Sequence, residues 1–318
     1  MQEEKKFEPT IAIAIPCYNE ESTVAKVISN FRNQLPDAGI FVFDNNSSDN
    51  TAKIAEENGA RIIYEKKQGK GYAIQRMFRT MNADILIMVD GDGTYFAEDV
   101  YRLIEPIKNG GADMVVGDRL HQKKGGFSNS HRFGNAVFRS LLNYLFNTNY
   151  RDILSGYRAM KKDFYQNIPL LAGGFEVETE LTLQSLDRGY SIIEIPINYT
   201  DRPQGSYSKI SKFKDGSRII FTIISLLRDY RPMIFFSYLG GAFIIAGMFF
   251  GSVVVEEYYL TGFIKRVPTA ILAIALTIVG FNAIISGLIL SAVSRRQKET
   301  EMIIGRANSN TDNESRRY

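Results

Sequence analysis

Apolar and polar positions alternate in blocks along roughly the first 200 residues. Segments with helical spacing, such as ESTVAKVISNFRNQL at 21–35 and GYAIQRMFRTM at 71–81, separate short apolar runs. The runs are IAIAI at 11–15, IFVFD at 40–44, RIIYE at 61–65, DILIMVD at 84–90 and ADMVVG at 112–117. Apolar strands that alternate with helices indicate a largely parallel sheet covered on both faces. The pattern therefore predicts an α/β domain.

Two long uncharged stretches follow, at residues 232–255 and 268–294. A helix needs roughly 20 apolar residues to cross the hydrocarbon core of a bilayer, so each stretch is long enough. Buried core helices of a soluble protein are the alternative. Basic residues precede the first stretch and follow the second, namely Arg228, Arg231, Arg295, Arg296 and Lys298. The sequence therefore predicts two membrane spans with both chain ends in the cytoplasm.

Basic and apolar residues interleave in the segment before the first stretch, as in SKISKFKDGSRIIFTIISLL. Such a composition beside a span is typical of helices that lie in the membrane interface. The predicted organisation is a cytoplasmic domain at 1–206, amphipathic interfacial helices at 207–231, spans at 232–255 and 268–294, a short extracytoplasmic loop at 256–267 and a polar cytoplasmic tail at 295–318.

Polar clusters follow three of the predicted strands: PCYNEE, DNNSSDNT and DGDGTY. Ligands of such sheets bind beyond the carboxyl ends of the strands. Asp90 and Asp92 are two residues apart, so in an extended segment both carboxylates point to the same side and can converge on one hard cation. A turn or helix cap is the alternative for an isolated Asp-x-Asp. Its position after the fourth strand favours a metal.

Several classes of protein do not fit. The candidate dinucleotide motif GKGYAI at 69–74 lacks the third glycine, and no Walker motif is present. The formal charge of +3 is too small to indicate nucleic-acid binding, and Cys17 has no second cysteine for an internal disulfide. What remains is a sheet with acidic residues at the ends of three strands.

Further motifs occur in order along the predicted cytoplasmic domain: PCYNEES at 16–22, DNNSSDNT at 44–51, KKQGKGYA at 66–73, DGDGTY at 90–95, GDR at 117–119, RDILSGYRAM at 151–160 and RPQGSYSK at 202–209. Together these motifs resemble those of the GT-A class of nucleotide-sugar glycosyltransferases, and within it the polyprenyl-phosphate (dolichol-phosphate-type) glycosyltransferases. The motifs cover nearly the whole predicted cytoplasmic domain. The resemblance implies a GT-A fold.

The resemblance also implies the donor site. The residues implied for the nucleotide are Pro16, Tyr18, Glu20, Asp44, Lys70 and Asp90, with Asp90 near the ribose. Asp92, joined by Asp90, is implied to bind Mg²⁺ or Mn²⁺. Some relatives carry Gln where this chain has Thr94, which leaves a third protein ligand to the metal in question.

The implied acceptor site binds a lipid phosphate through arginines, whose planar fork suits phosphate oxygens. The residues assigned to it are Arg119, Arg132, Arg202, Ser206 and Lys209, and for Lys209 a place at the membrane surface is the alternative. For Asp152 the resemblance implies a place on the sugar or phosphate side, and a helix cap is the alternative. Asp92, Asp152 and Arg202 are thus the predicted catalytic residues.

The expected reaction moves one sugar, with inversion, from a nucleotide donor to a polyprenyl phosphate. The family likeness favours a UDP donor, and the sequence does not decide whether the chain forms a homo-oligomer. A processive polysaccharide synthase is one alternative, although this chain has no tryptophan and thus lacks the Gln-x-x-Arg-Trp motif of that family. A membrane-tethered, non-enzymatic nucleotide-binding subunit is the other.

Overall fold

The computed structural model describes residues 9–119, 139–140, 142–144, 146, 148–174, 176–200, 225 and 227–315. The chain divides into two compact units, Met1–Gly216 and Ser217–Tyr318. The first contains a sheet with helices, and the second contains two long helices.

A seven-stranded sheet with the order β3-β2-β1-β4-β6-β5-β7 forms the centre of the first unit. The strands are β1 Ile11–Cys17, β2 Gly39–Asp44, β3 Arg61–Tyr64, β4 Ile85–Met88, β5 Met114–Asp118, β6 Arg158–Lys161 and β7 Ile192–Pro196. Every pairing is parallel except those of β6, which runs antiparallel to β4 and β5. The prediction of a mostly parallel α/β sheet is confirmed.

The helices of the first unit cover both faces of this sheet. They are α1 Val24–Gln34, α2 Thr51–Glu57, α3 Lys70–Thr80, α4 Val100–Lys108, α5 Lys162–Asn167 and α6 Val177–Asp187. Alternation along β1 shows why two cores form: Ile13 and Ile15 pack in one buried cluster, whereas Ala12 and Ala14 pack in the other. Side chains of a strand point alternately to opposite faces, so a strand with two apolar faces lies between helices.

Strands β6 and β7 were absent from the sequence prediction. The motif RDILSGYRAM at 151–160 leads into β6, which has only four residues and begins with the buried Arg158. Strand β7 is half-buried along its whole length and includes Glu194. Neither strand has the continuous apolar run that identifies a central strand.

The second unit contains α7 Pro232–Thr261 and α8 Val267–Ser315. Residues Pro232–Thr261 and Val267–Gln297 are long and apolar enough to cross a membrane. Only 17% of the most apolar part of each is buried, which does not fit core helices of a soluble protein. The predicted loop at 256–267 is shorter than expected, because α7 continues to Thr261 and ends at Gly262, whose φ of 72° closes the helix in the left-handed region.

Candidate active site

The carboxyl ends of neighbouring strands bring the predicted polar clusters together. Cys17 and Asp44 pair at the ends of β1 and β2, and the next residue, Asn45, donates its backbone N–H to the Cys17 carbonyl at 2.8 Å. The loop after β4 joins them, since the hydroxyl of Thr23 donates to the Gly91 carbonyl at 2.6 Å. The predicted polar clusters therefore lie together at this edge of the sheet.

The loops after β1 and β2 fix each other by hydrogen bonds. Asn19 and Asn46 have positive φ values of 52° and 62°, a conformation that asparagine tolerates better than most residues. The Asn19 side chain accepts a hydrogen bond from the Ser48 backbone at 2.8 Å. The backbone N–H of Glu20, whose side chain is buried, donates to the Thr51 hydroxyl at 2.8 Å. Residues predicted for the donor site therefore lie on two loops that hydrogen bonds hold together.

Asp44 offers a buried acceptor at this loop pair. Its side chain is 3% exposed, and Oδ2 accepts a hydrogen bond from the Ser47 backbone at 3.2 Å. Oδ1 is buried and has no hydrogen-bond partner among the residues that the structure describes. A buried carboxylate oxygen without a donor is costly, so this position suits the N–H or O–H group of a ligand. Pro16 lies inside β1 and Tyr18 is half-buried just beyond it.

The Asp-x-Asp segment places one carboxylate in a fixed orientation. Asp92 is buried, and its Oδ1 accepts hydrogen bonds from the Thr94 backbone at 3.1 Å and the Thr94 hydroxyl at 2.6 Å. Thr94 therefore orients the Asp92 carboxylate. Within the described ranges, no group of three or more His, Cys, Asp or Glu residues could hold a metal. The two aspartates fit a cation such as Mg²⁺, which often uses one or two carboxylates and takes its other ligands from phosphate and water.

Lys70 joins the Asp-x-Asp segment to α6. Its Nζ lies 2.6 Å from Asp90 Oδ1 and 2.5 Å from Glu178 Oε1. Burial alone would lower the pKa of Lys70, but the charges and hydrogen bonds of both carboxylates raise it well above its ordinary value. Lys70 is thus a permanent cation at the first residue of α3, beside one of the predicted metal ligands.

Arg119 and Asp152 form a second charged pair. Arg119 Nε lies 2.7 Å from Asp152 Oδ2, and Nη2 donates to Oδ1 at 2.9 Å. Arg119 Nη1 donates to the Tyr95 hydroxyl at 3.4 Å, and the guanidinium lies 5.5 Å from the centre of the Tyr199 ring. Burial opposes the charge of Arg119, yet Tyr95 and Asp152 raise its pKa well above the ordinary value. Two predicted site residues are therefore brought together, and each is held mainly by the other.

The remaining predicted residues of the acceptor site lie outside the described residues. These are Arg132, Arg202, Ser206 and Lys209. The structure therefore places the predicted donor residues and, of the predicted lipid-phosphate residues, Arg119 alone. The assignments of all of these residues to substrates remain predictions.

Arg158 is a central residue that the sequence prediction missed. It is fully buried and donates to the carbonyls of Ile153 at 2.8 Å, Ser155 at 2.9 Å and Glu178 at 3.0 Å, and to the Thr182 hydroxyl at 3.0 Å. Burial lowers the pKa of Arg158 to about 10 despite the nearby acidic groups. It ties the loop that carries Asp152 to the helix that carries Glu178. An arginine at the start of a short strand gives no sequence signal for this role.

Replacing Arg158 with Met should lower the stability of the first unit. The change leaves several buried oxygens without donors, and a single such loss costs about 1–3 kcal/mol. We expect a clear drop in melting temperature when unfolding is followed by scanning calorimetry. Arg102→Met is the matched control, because Arg102 forms an ion pair with Asp99 but its side chain is 52% exposed. Equal melting temperatures for the two variants would contradict the bracing role of Arg158.

The chain is similar to known glycosyltransferases. Residues 12–168 match the family model Glycosyl transferase family 2. Glycosyltransferase AglJ from Haloferax volcanii is 30% identical over 297 residues, which are 92% of this chain and 97% of that protein. Dolichyl-phosphate hexose transferase from the same organism is 28% identical over 221 residues, covering 70% of this chain and 95% of that protein.

A solved structure is also similar. Glucosyl-3-phosphoglycerate synthase from Mycobacterium tuberculosis, in complex with Mn²⁺, UDP-glucose and phosphoglyceric acid, superposes with a TM-score of 0.56 and is 25% identical. The similarity covers 69% of this chain and 79% of that one. The GT-A fold is thereby confirmed. That enzyme binds its metal and UDP-sugar on the same architecture.

Proposed function

The chain belongs to glycosyl transferase family 2, and on that premise we propose that it transfers one sugar from a nucleotide-sugar donor to a polyprenyl phosphate at the cytoplasmic face of a membrane. One observation carries the proposal: the buried Asp44, with its unbonded oxygen, lies at the same edge of the sheet as Asp90 and Asp92. A nucleoside and its diphosphate need such a buried acceptor and such a pair of acids. The names of similar proteins support a polyprenyl phosphate acceptor.

The donor is proposed to be UDP-linked, in keeping with the UDP-glucose bound by the similar synthase. Asp44 would accept a hydrogen bond from the nucleoside, with Pro16, Tyr18 and Glu20 around it. Lys70 would hold Asp90 in place through their 2.6 Å contact and contribute positive charge near the phosphates. These groups position the donor so that its anomeric carbon is exposed to the acceptor.

A divalent cation, Mg²⁺ or Mn²⁺, would be held by Asp92 together with Asp90. When bound, it supplies positive charge that neutralises the diphosphate leaving group. Two hydrogen bonds from Thr94 fix the orientation of the Asp92 carboxylate, which would bind the cation. The similar synthase with Mn²⁺ or Mg²⁺ supports the choice of metal.

The acceptor phosphate is proposed to lie against Arg119, with Arg132, Arg202, Ser206 and Lys209 completing the pocket. Asp152 occupies the Nε–Nη2 edge of the Arg119 guanidinium, so Asp152 is proposed as the residue that positions Arg119. A phosphate monoester is already largely ionised at neutral pH, with a second pKa near ~6. The acceptor therefore needs orientation more than deprotonation, and we propose inversion without a protein base.

Transfer can be tested directly with the full-length protein in detergent. We would offer a panel of UDP- and GDP-sugars with a short-chain polyprenyl phosphate and determine the mass of the lipid product. The proposal expects one sugar per lipid from one donor of the panel. A ladder of products would instead favour a processive synthase. Nucleotide binding without any product would favour a non-enzymatic subunit.

The proposed membrane topology can be tested by cysteine labelling in intact cells. Two spans return the chain to its starting side, and the flanking basic residues favour the cytoplasm at both ends. Phe263→Cys, between α7 and α8, should react with an impermeant maleimide from outside. Arg295→Cys, beyond the second uncharged stretch, should react only after lysis. The natural Cys17 is buried, so labelling of the unsubstituted chain measures the background of the assay. External labelling of residue 295 would overturn the orientation.

A further inference from the structure

Asn282 is a polar residue in the middle of the second apolar span. It lies at the centre of Val267–Gln297, and its side chain is exposed. The amide of Asn282 makes no hydrogen bond with any part of the chain that the structure describes, whereas its backbone carbonyl accepts one from the Ser286 hydroxyl at 2.9 Å. Lipid tails offer no hydrogen-bond partner, so an amide at this depth is costly unless another protein group meets it.

The face of α8 opposite Asn282 packs against α7. Glycines let the two long helices approach closely, since a side chain at Gly240 or Gly247 would collide with α8. The α8 residues at this contact are Ala273, Thr277, Gly280 and Ile284. Asn282 follows Gly280 by two residues, which turns it by about 200° around a helix of 3.6 residues per turn. The amide therefore points away from α7, and so does Ser286 one turn further on.

We propose that two copies of this chain pair through this outer face of α8, with the two Asn282 amides hydrogen-bonded to each other. The inference rests on the proposed insertion of α8 into a membrane. A second copy is the occupant that the geometry favours, because chains inserted with the same topology place Asn282 at the same depth. An amide both donates and accepts, so two of them satisfy each other. A different membrane protein would need a polar group at that same depth.

Two other polar residues of the long helices, Ser252 of α7 and Thr277 of α8, already have hydrogen-bond acceptors. Ser252 of α7 is exposed, but its hydroxyl donates to the Phe249 carbonyl of the same helix at 2.8 Å. Thr277 likewise donates to the Ala273 carbonyl at 2.9 Å. A side-chain hydroxyl can return to its own helix in this way, whereas the Asn282 amide does not do so in this structure. Ser252 thus provides a matched control.

The test measures energy transfer between donor- and acceptor-labelled copies of the full chain in phosphatidylcholine vesicles, as the ratio of lipid to protein is varied. We expect the natural chain to self-associate and Asn282→Leu to associate about tenfold more weakly, the size expected for one interhelical polar contact. Asn282→Gln, which keeps the amide, and Ser252→Ala should associate like the natural chain. A natural chain that stays monomeric in the vesicles, or an Asn282→Leu variant that associates equally well, would overturn the pairing.

Cross-linking tests the same face independently. Ser286→Cys should form disulfide-linked dimers under a mild oxidant, whereas Thr277→Cys, which faces α7, should not. Equal cross-linking at both positions would contradict the proposed orientation. Flotation of the vesicles checks membrane insertion, and sugar transfer is measured on the same preparations. Loss of insertion or of transfer bears on the proposed function, whereas loss of pairing alone bears on this inference.

Discussion

Asp92→Asn should lower the rate of sugar transfer by on the order of 100-fold or more. The substitution preserves the size of the side chain and its hydrogen bonds with Thr94 in part, but it removes a negative charge from the proposed metal site. Charge stabilisation by a bound cation contributes several kcal/mol to a transition state, which corresponds to an effect of this size. Initial rates at saturating donor and acceptor measure it.

The matched control for Asp92→Asn is Asp84→Asn. Asp84 lies at the opposite end of β4 and accepts hydrogen bonds from the backbone and hydroxyl of Thr10 at 2.9 and 2.8 Å. This variant should keep most of its transfer activity. The natural chain should lose activity in EDTA and regain it when Mg²⁺ or Mn²⁺ is added in excess. Full activity in the chelator would exclude the proposed metal.

The central strands were predictable because each combines an apolar run with burial on both faces. Their carboxyl ends meet at one edge, so the sequence also predicted that Asp44, Asp90 and Asp92 lie in one region. Strand β6 could not be found this way, because a buried arginine at its first position breaks the apolar pattern. Strand β6 forms through its antiparallel pairing with β4 and β5. Such pairing depends on residues far away in the chain and cannot be predicted from a local sequence pattern.

The partners of the charged residues were not predictable from local sequence. Lys70 meets Glu178, and Arg119 meets Asp152, across long separations in the chain. Such contacts depend on how the loops after the strands fold over each other. Gly69 illustrates this dependence: it begins the turn into α3 with a φ of 139°, and any side chain there would collide with the Gly173 backbone. The motif KKQGKGYA contained both residues of this arrangement, Gly69 and Lys70, but gave no sign of the loop that covers them.

The Arg119 and Asp152 pair gives the second large expected effect. Arg119→Ala leaves Asp152 buried without its cation, and Asp152→Asn removes the charge that orients the guanidinium. A hydrogen bond between charged groups, as proposed for Arg119 and the acceptor phosphate, contributes about 1.5–3 kcal/mol, so each variant should lose roughly 10- to 100-fold in transfer. The double variant should lose little beyond the worse single variant, because the two residues act as a unit. Fully additive losses would contradict the positioning role of Asp152.

Melting temperatures separate a folding defect from a defect in transfer. Arg119→Lys keeps the positive charge but lacks the planar fork, so it should fold well and still transfer slowly. Its KM for the lipid phosphate should rise, while its affinity for the nucleotide stays close to that of the natural chain. Equal weakening of both substrates would place Arg119 in the donor site or in support of the fold.

The dependence of the rate on pH tests the absence of a protein base. Both oxygens of Asp152 accept hydrogen bonds from Arg119, and both oxygens of Glu180 accept them from the backbone of residues 171 and 172. Glu178 is paired with the permanently charged Lys70. None of these carboxylates is arranged to take a proton from the acceptor.

The rate should therefore rise with pH through the second ionisation of the acceptor phosphate, near ~6, and then remain level. An acceptor analogue with a more acidic phosphate should shift this rise to lower pH, because the reactive dianion forms earlier. Glu178→Gln and Glu180→Gln should retain appreciable turnover and leave the midpoint of the rise unchanged. A midpoint that moves with either substitution and ignores the acceptor, or a product of retained anomeric configuration, would refute the base-free scheme.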